Sequence, residues 1–423
     1  MISKELLREV LIEQQKRIRA QKSQNFVERE KLHEIKNFVK TNHAVIITGV
    51  RRCGKSVFLS QIANTFFDSY YYVNFEDERL ADFDLNDFNR LYEICLEHFG
   101  KSKTFFLDEV QNIAGWERWV RRMRDDGFKF FITGSNARLL SKELATLLTG
   151  RHLQFSIFPF SFKEFLKLRG FDLQKNDIYI TERRALIQKY FSEYVKKGGF
   201  PEYLKDNRIE ILQEYFNDIV QRDIVERYSI KNIKQLKELA KYLITNTANL
   251  TTYNQLKKIT GIKSVNTAIK YFSYLENAYL LLSEKYFSYS LKRQISNPFK
   301  VFAIDHGLRG AISFKFSRDF GRIFETIVAI ELKRRNKEIY YWKNLLKEEV
   351  DFVVKGNNAK ELMQVSYDVS DIRTRERETK ILVKAGKELK CKNLLVITED
   401  YEAQEKRSSK RIKFIPLWKW LLT

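Results

Sequence analysis

One stretch, Gly49-Val50-Arg51-Arg52-Cys53-Gly54-Lys55-Ser56, constrains this chain more than any other eight residues. It fits G-x-x-x-x-G-K-[ST], and its flanks suit that pattern. The apolar run Ala44-Val45-Ile46-Ile47 before it reads as a buried parallel strand, while Val57-Phe58-Leu59 and Ile62-Ala63 after it recur at helical spacing. A strand entering a Gly-rich turn and then a helix aims backbone N–H groups and the positive helix end at an anion. Residues 49–57, Val57 included, would then cradle the phosphates of a nucleoside triphosphate. Lys55 would reach the β/γ-phosphates, and the Ser56 hydroxyl would take a place on Mg²⁺. A chance match in a glycine turn would lack the strand and helix found here.

Three cysteines, Cys53, Cys95 and Cys391, lie far apart among 423 residues and suggest neither a metal cluster nor a disulfide framework. Cys53 lies inside the loop, as an oxidation-sensitive thiol or simply a small residue at a variable position. No apolar run reaches about 18 residues, so no membrane span is expected. The N-terminal stretch alternates charge with leucines and has no apolar signal region. A cytoplasmic protein fits these features. Net charge is +22 and unevenly placed. Residues 41–150 carry 14 basic and 15 acidic side chains, residues 231–310 carry 13 and 4, and residues 311–423 carry 25 and 17. Lysine-rich composition can reflect genome bias or a solvated surface, but its concentration in the C-terminal half suits a polyanion partner.

Downstream, Lys103-Thr104-Phe105-Phe106-Leu107-Asp108-Glu109 reads as an apolar strand ending in two carboxylates, a Walker B pattern. Asp108 would hold Mg²⁺ through water, and Glu109 would polarise the attacking water as general base. The next strand reads as Phe128 to Thr133, and a polar residue at its end would sit between the Walker strands to sense the γ-phosphate. Asn136 or Ser135 after it is the candidate sensor of the γ-phosphate, with Thr133 a further choice. Ser135 and Asn136 also suit a helix cap. Arg51 and Arg52 either touch phosphates or hold the loop.

The motifs GVRRCGKS (49–56), FFLDEVQN (105–112), ITGSNARLLSKELATLLTGR (132–151) and FPFSFKEFL (158–166) together resemble AAA-type P-loop ATPases of bacteria and archaea that carry a C-terminal DUF4143 region. The resemblance continues in Gly198 to Glu202, Val220 to Ile224 and Ser296 to Phe302. It implies an α/β protein: a P-loop NTPase with an AAA-like αβα parallel sheet, a helical lid, a winged-helix domain and a degenerate PD-(D/E)xK nuclease-like domain. The corresponding boundaries are 1–25 for an N-terminal helix, 26–165 for the ATPase domain, 166–230 for the lid, 231–310 for the winged helix and 311–423 for the last domain. The N-terminal helix either mediates assembly or packs on the ATPase domain. The resemblance also allows Arg151 as an arginine finger, acting in cis or from a neighbouring copy in a homo-oligomer; a surface ion pair is the plainer reading.

Residues 235–282 read independently as helix, turn, helix, helix and strand, a winged-helix pattern. Its third helix would bring Lys263, Ser264, Asn266, Thr267 and Lys270 to double-stranded DNA, although such modules also bind proteins or serve as scaffold. In the last domain Glu325 on a helix and Asp351 on a strand match the nuclease pattern. Gln364 and Ser366 stand where a metal carboxylate and a lysine would be, and Glu361 is out of strand phase to replace them. This pattern is expected to have lost metal-assisted hydrolysis and kept a binding role. The expected protein is therefore an ATPase, using ATP and Mg²⁺, that couples its cycle to a basic DNA-binding module. An ATP-dependent switch or scaffold for protein partners is the alternative, and an active ATP-dependent nuclease is the third reading.

Overall fold

The computed structural model describes residues 2–24, 26–135, 152–313, 319–356, 359–407 and 410–423. The chain divides into two compact units, residues 1–157 with 277–279, and residues 158–276 with 280–423. Among the described residues no helix is long and apolar enough to cross a membrane.

The first unit is built on five parallel strands, β1 (Ala44–Thr48), β2 (Tyr71–Asn74), β3 (Thr104–Asp108), β4 (Lys129–Gly134) and β5 (His152–Ser156). Their order is β2-β3-β4-β1-β5. Consecutive phenylalanines make sense in this setting, because a parallel sheet covered on both faces needs apolar side chains at every position. Phe105 stacks on Phe130 on one face, and Phe106 stacks on Phe131 on the other. The first face is covered by helices α1 (Lys4–Ala20), α3 (Asp87–Phe99) and α4 (Trp116–Asp125), which contribute Leu7, Val10, Phe88, Leu91 and Trp119 to one core. Helix α2 (Lys55–Phe66) buries Phe58 and Leu59.

Edge strand β2 would expose unpaired N–H and C=O groups, and α1 removes that liability. The Gln15 amide accepts from Tyr72 N at 3.0 Å and donates to Tyr70 O at 3.0 Å. The Gln14 amide does the same for Asn74, at 2.8 and 3.1 Å. The N-terminal helix thus packs on its own unit and closes the sheet edge with two side chains.

The second unit carries a nine-stranded mixed sheet, ordered β13 (Ala403–Arg407), β14 (Lys410–Pro416), β12 (Leu394–Thr398), β11 (Ala359–Val365), β10 (Glu349–Lys355), β9 (Ile339–Lys343), β7 (Leu281–Tyr286), β8 (Phe299–Ala303) and β6 (Asn249–Thr251). Helix α6 (Ile233–Thr245), strand β6, helices α7 (Tyr253–Thr260) and α8 (Val265–Asn277), and strands β7 and β8 follow in that order, with a short helix, Leu291–Ser296, between β7 and β8. β8 pairs antiparallel with both β6 and β7. β7 then pairs in parallel with β9 (Ile339–Lys343), at Lys285 with Tyr340 and Tyr286 with Tyr341. Through that pairing the sheet continues into β10 (Glu349–Lys355), β11 (Ala359–Val365), β12 (Leu394–Thr398), β13 (Ala403–Arg407) and β14 (Lys410–Pro416). Helix α10 (Phe320–Arg334) buries nearly its whole second half, while α11 (Ile372–Glu388) packs Ile381, Leu382 and Ala385 into the core that includes Val350, Leu362 and Val396.

The motif at Gly198 to Glu202 follows helix α5 (Thr181–Lys197) and is held by Asp305. One Asp305 oxygen accepts from Gly199 N at 2.7 Å, and the other caps helix α9 (His306–Ile312) through Leu308 N at 3.1 Å.

Candidate functional site

The loop between β1 and α2 is shaped by two glycines. Gly54 starts α2 in the left-handed region at φ +98°, with no side-chain cap on the helix N-terminus. Gly49 has φ +151°, and a Cβ there would lie 2.1 Å from Ile157 O. Ile157 N in turn donates to Thr48 O at 2.7 Å, so the backbone cannot retreat without losing that bond. Gly49→Ala is therefore expected to cost about 3 kcal/mol or more, through strain and displaced backbone. Thermal unfolding and nucleotide binding should both worsen; wild-type values for both would refute the close-approach argument.

Arg29 braces the loop from outside the motif, donating from Nη1 to Cys53 O at 2.8 Å. Sequence reading missed it because a guanidinium far upstream carries no motif signal. Arg51 bonds Glu76 at 2.6 Å, which supports a loop-holding role for that side chain. Arg52 is exposed, at φ +67°. Cys53 is buried beside Ile157 O at 3.4 Å, and burial pushes its thiol up. That environment favours the small-residue reading over a reactive thiolate.

The Walker carboxylates converge on the loop. Lys55 is buried, and its Nζ lies 3.4 Å from Glu109 Oε1 and 3.4 Å from Val50 O. Asp108, at the end of β3, accepts hydrogen bonds from Thr133 Oγ1, from Ser56 and from Tyr72 Oη, the last at 3.1 Å. Glu109 follows at φ +50°, a left-handed conformation that carries a backbone cost for this residue. Its backbone N donates to Thr133 Oγ1 at 2.9 Å, and its carboxylate accepts from Gln111 Nε2.

Burial first, then the neighbouring Glu109 charge, push Asp108 up against the pull of Thr133, Ser56 and Lys55. Burial also pushes Glu109 up, but Lys55, Gln111 and Arg51 outweigh it and hold that carboxyl below its usual range. Two adjoining buried carboxylates thus differ in proton affinity because Lys55 is the leading stabilising charge for Glu109 and only a minor one for Asp108, which also feels the Glu109 charge.

β4 lies between β1 and β3, pairing with both. That placement brings Thr133, the further sensor choice, onto Asp108 and Glu109 together. Ser135 is buried just beyond the strand. Asn136 and Arg151 lie outside the described residues. Val50 is buried and Val57 half-buried at the start of α2.

These residues fit a nucleotide with its magnesium. A cradle that a Cβ would fill, a buried ammonium and an uncapped helix N-terminus all suit phosphate, and a carboxylate and a hydroxyl in contact suit a hard cation. Among the described residues no group of three or more His, Cys, Asp or Glu is arranged to hold a metal by itself.

In the second unit, Lys263, Ser264, Asn266 and Lys270 are exposed at the N-terminal end of α8, with Thr267 half-buried among them. Ser264 caps the helix through Thr267 N at 3.0 Å. Ala268, Tyr271, Phe272 and Leu275 form the opposite, buried face.

Glu325 and Asp351 do come together, but on a lysine that the sequence reading left out of the site. Lys300 on β8 lies 2.5 Å from Glu325, 2.8 Å from Glu349 and 3.2 Å from Asp351. Gln364 and Ser366 are buried, and Asp351 accepts from Val365 N at 2.9 Å. Glu361 has Lys337, Lys360, Lys413 and Arg335 as its charged neighbours, in keeping with its opposite strand phase. Glu349 had a readable signal, since it sits two residues before Asp351 on the same strand face.

Comparison with known proteins gives three family matches: an AAA domain over residues 41–166, the domain of unknown function DUF8612 over 188–319, and the domain of unknown function DUF4143 over 320–420. An uncharacterized protein of Methanocaldococcus jannaschii is 43% identical over 404 residues, covering 90% of this chain and 89% of that one. An uncharacterized protein of Haemophilus influenzae is 32% identical over 392 residues, covering 88% and 94%. Among solved structures, a variant RuvB of Thermotoga maritima overlaps 61% of this chain and 90% of its own at 16% identity and TM-score 0.31. The ADP form of Aeropyrum pernix ORC2 overlaps 73% and 97% at 12% identity and TM-score 0.33. Overlaps that slight carry no argument about this chain.

Proposed function

We propose that this chain, which belongs to the family joining an AAA P-loop domain to a C-terminal DUF4143 region, binds and hydrolyses ATP and uses that cycle to act on DNA. The observation that carries the ATPase reading is the convergence of Lys55, Asp108 and Glu109 on one loop. In this reading backbone N–H groups of residues 49–57 hold the phosphates, and Lys55 pairs with the β/γ oxygens. Ser56 and Asp108 would hold Mg²⁺, which would neutralise phosphate charge. Glu109 takes the proton of the attacking water; burial alone would push its carboxyl up, but Lys55, Gln111 and Arg51 hold it below its usual range, so the acid is ionised and ready to accept. Thr133, bonded to Asp108 and to the Glu109 backbone, keeps the two acids in register. Asn136 remains the proposed sensor, and Arg151 the proposed finger.

The DNA half of the proposal is supported by the order helix, strand, helix, helix, strand over 233–286, followed by a six-residue helix, Leu291–Ser296, and the strand 299–303, an order compatible with a winged helix whose wing carries a short helix. It is supported further by the exposed Lys263, Ser264, Asn266 and Lys270, and by the excess of 13 basic over 4 acidic residues in 231–310. Duplex binding followed by fluorescence anisotropy is the test. If three phosphates are contacted, affinity should fall about 40-fold between 50 and 200 mM salt. Lys263→Glu with Lys270→Glu should weaken binding across all sequences and flatten that slope. No binding at low ionic strength, with or without ATP, would sink the DNA reading and leave the switch or scaffold. An ATPase rate raised by duplex DNA would tie the two halves together.

A further inference from the structure

The acids around Lys300 come from three separate elements: Glu284 from β7, Glu325 from α10, and Glu349 with Asp351 from β10. Buried carboxylates gathered this closely repel one another unless a cation lies at their centre. Oxygen sets of this kind ordinarily collect a hard divalent ion. Here an ammonium is already at the centre. Lys300 is 2% exposed, and its Nζ lies 2.5 Å from Glu325 Oε1, 2.8 Å from Glu349 Oε1 and 3.2 Å from Asp351 Oδ1. An ammonium has three donors, and three different carboxylates stand within reach of it.

The remaining acid is informative. Glu284 sits opposite Lys300 in the β7–β8 register, is 1% exposed, and has no hydrogen-bond partner on either carboxylate oxygen. Lys343 takes the other Glu349 oxygen at 3.2 Å and Val365 N the other Asp351 oxygen at 2.9 Å, yet both Glu284 oxygens stay without a hydrogen bond. Burial pushes Glu284 well up and Glu325 up to about 8, against the pull of Lys300 on both.

We propose that Lys300 is the resident cation of this domain: its ammonium fills the place among Glu284, Glu325, Glu349 and Asp351 that a divalent ion would take, excludes metal from the native chain there, and on removal leaves a divalent-cation site. This stands apart from the ATP reading and is tested without nucleotide. The probe is Mn²⁺, followed by electron paramagnetic resonance and by thermal unfolding of the full chain. Wild type and Asp351→Asn should bind Mn²⁺ alike, because neither offers the cluster to metal. Lys300→Met should melt lower than wild type and gain about one Mn²⁺ with Kd below about 1 mM. Mn²⁺ should raise its melting temperature by several degrees while leaving wild type unmoved. Both gains should vanish in Lys300→Met with Asp351→Asn.

Two results would overturn the proposal. One is wild-type protein binding a Mn²⁺ that Asp351→Asn removes. The other is Lys300→Met gaining neither bound Mn²⁺ nor Mn²⁺-dependent stability, including a variant that stays unfolded when Mn²⁺ is supplied.

Discussion

Glu109→Gln should bind ATP within about threefold of wild type and hydrolyse it about 10² to 10⁴ times more slowly, the range for loss of a positioned general base. The substitution keeps the size of the side chain and an amide oxygen that can still accept from Gln111, so the turn after β3 has no packing reason to move. What disappears is the carboxylate held below its usual proton affinity by Lys55, Gln111 and Arg51 against burial. Phosphate binding relies on the loop backbone and Lys55, which the variant leaves in place. Single-turnover hydrolysis with a fluorescent-nucleotide affinity measurement separates the two effects. A variant that still turns over at the wild-type rate removes Glu109 from the base role, and one that loses binding instead marks it as a structural partner of Lys55.

Lys55→Ala should show the complementary failure. Truncating one partner of a buried, bonded charge pair costs about 2–5 kcal/mol, which would weaken ATP binding about thirty- to several-thousand-fold. The ammonium is buried 3.4 Å from Glu109, so its loss also leaves that acid without its nearest positive charge. Some fall in stability is therefore expected along with the loss of binding. Lys55→Met separates the two by restoring most of the buried volume while leaving the charge absent. Both variants should lose ATP affinity, with Lys55→Met melting closer to wild type. ATP binding at wild-type strength in either variant would mean that the loop holds phosphate through its backbone alone.

The two predictions involve the part of the site that was legible in sequence, and the reason is geometric. A phosphate cradle is made from consecutive backbone groups between one strand and one helix, so its residues are contiguous and its glycines keep a fixed spacing. Asp108 and Glu109 were readable because the end of an apolar strand is a recognisable local event. The same local logic located the strand ending at Thr133 and the polar end of α8. It did not reach Tyr72, Arg29 or Gln14 and Gln15, which act across folded distance: Tyr72 on Asp108 from a neighbouring strand, Arg29 on the loop from upstream, and the two glutamines on the edge of β2.

The acid cluster of the second unit shows that limit most plainly. Reading 231–310 and 311–423 as separate domains put Glu284 and Lys300 on one side of a boundary and Glu325 and Asp351 on the other. The parallel pairing of β7 with β9 makes one sheet of both stretches, and the β7–β8 register sets Glu284 opposite Lys300. Strand pairing between distant segments has no periodic signature in a single sequence, because register depends on the partner strand as much as on the strand itself.

By itself the sequence determined the phosphate loop, its two acids, the parallel strand runs and the uneven positive charge, all set by short-range spacing and composition. Only the tertiary structure decided that β4 separates the Walker strands, that Thr133 joins Asp108 to Glu109, and that a lysine rather than a vacancy stands among the C-terminal acids. Those facts depend on which strands lie side by side, and only the closed sheet sets that.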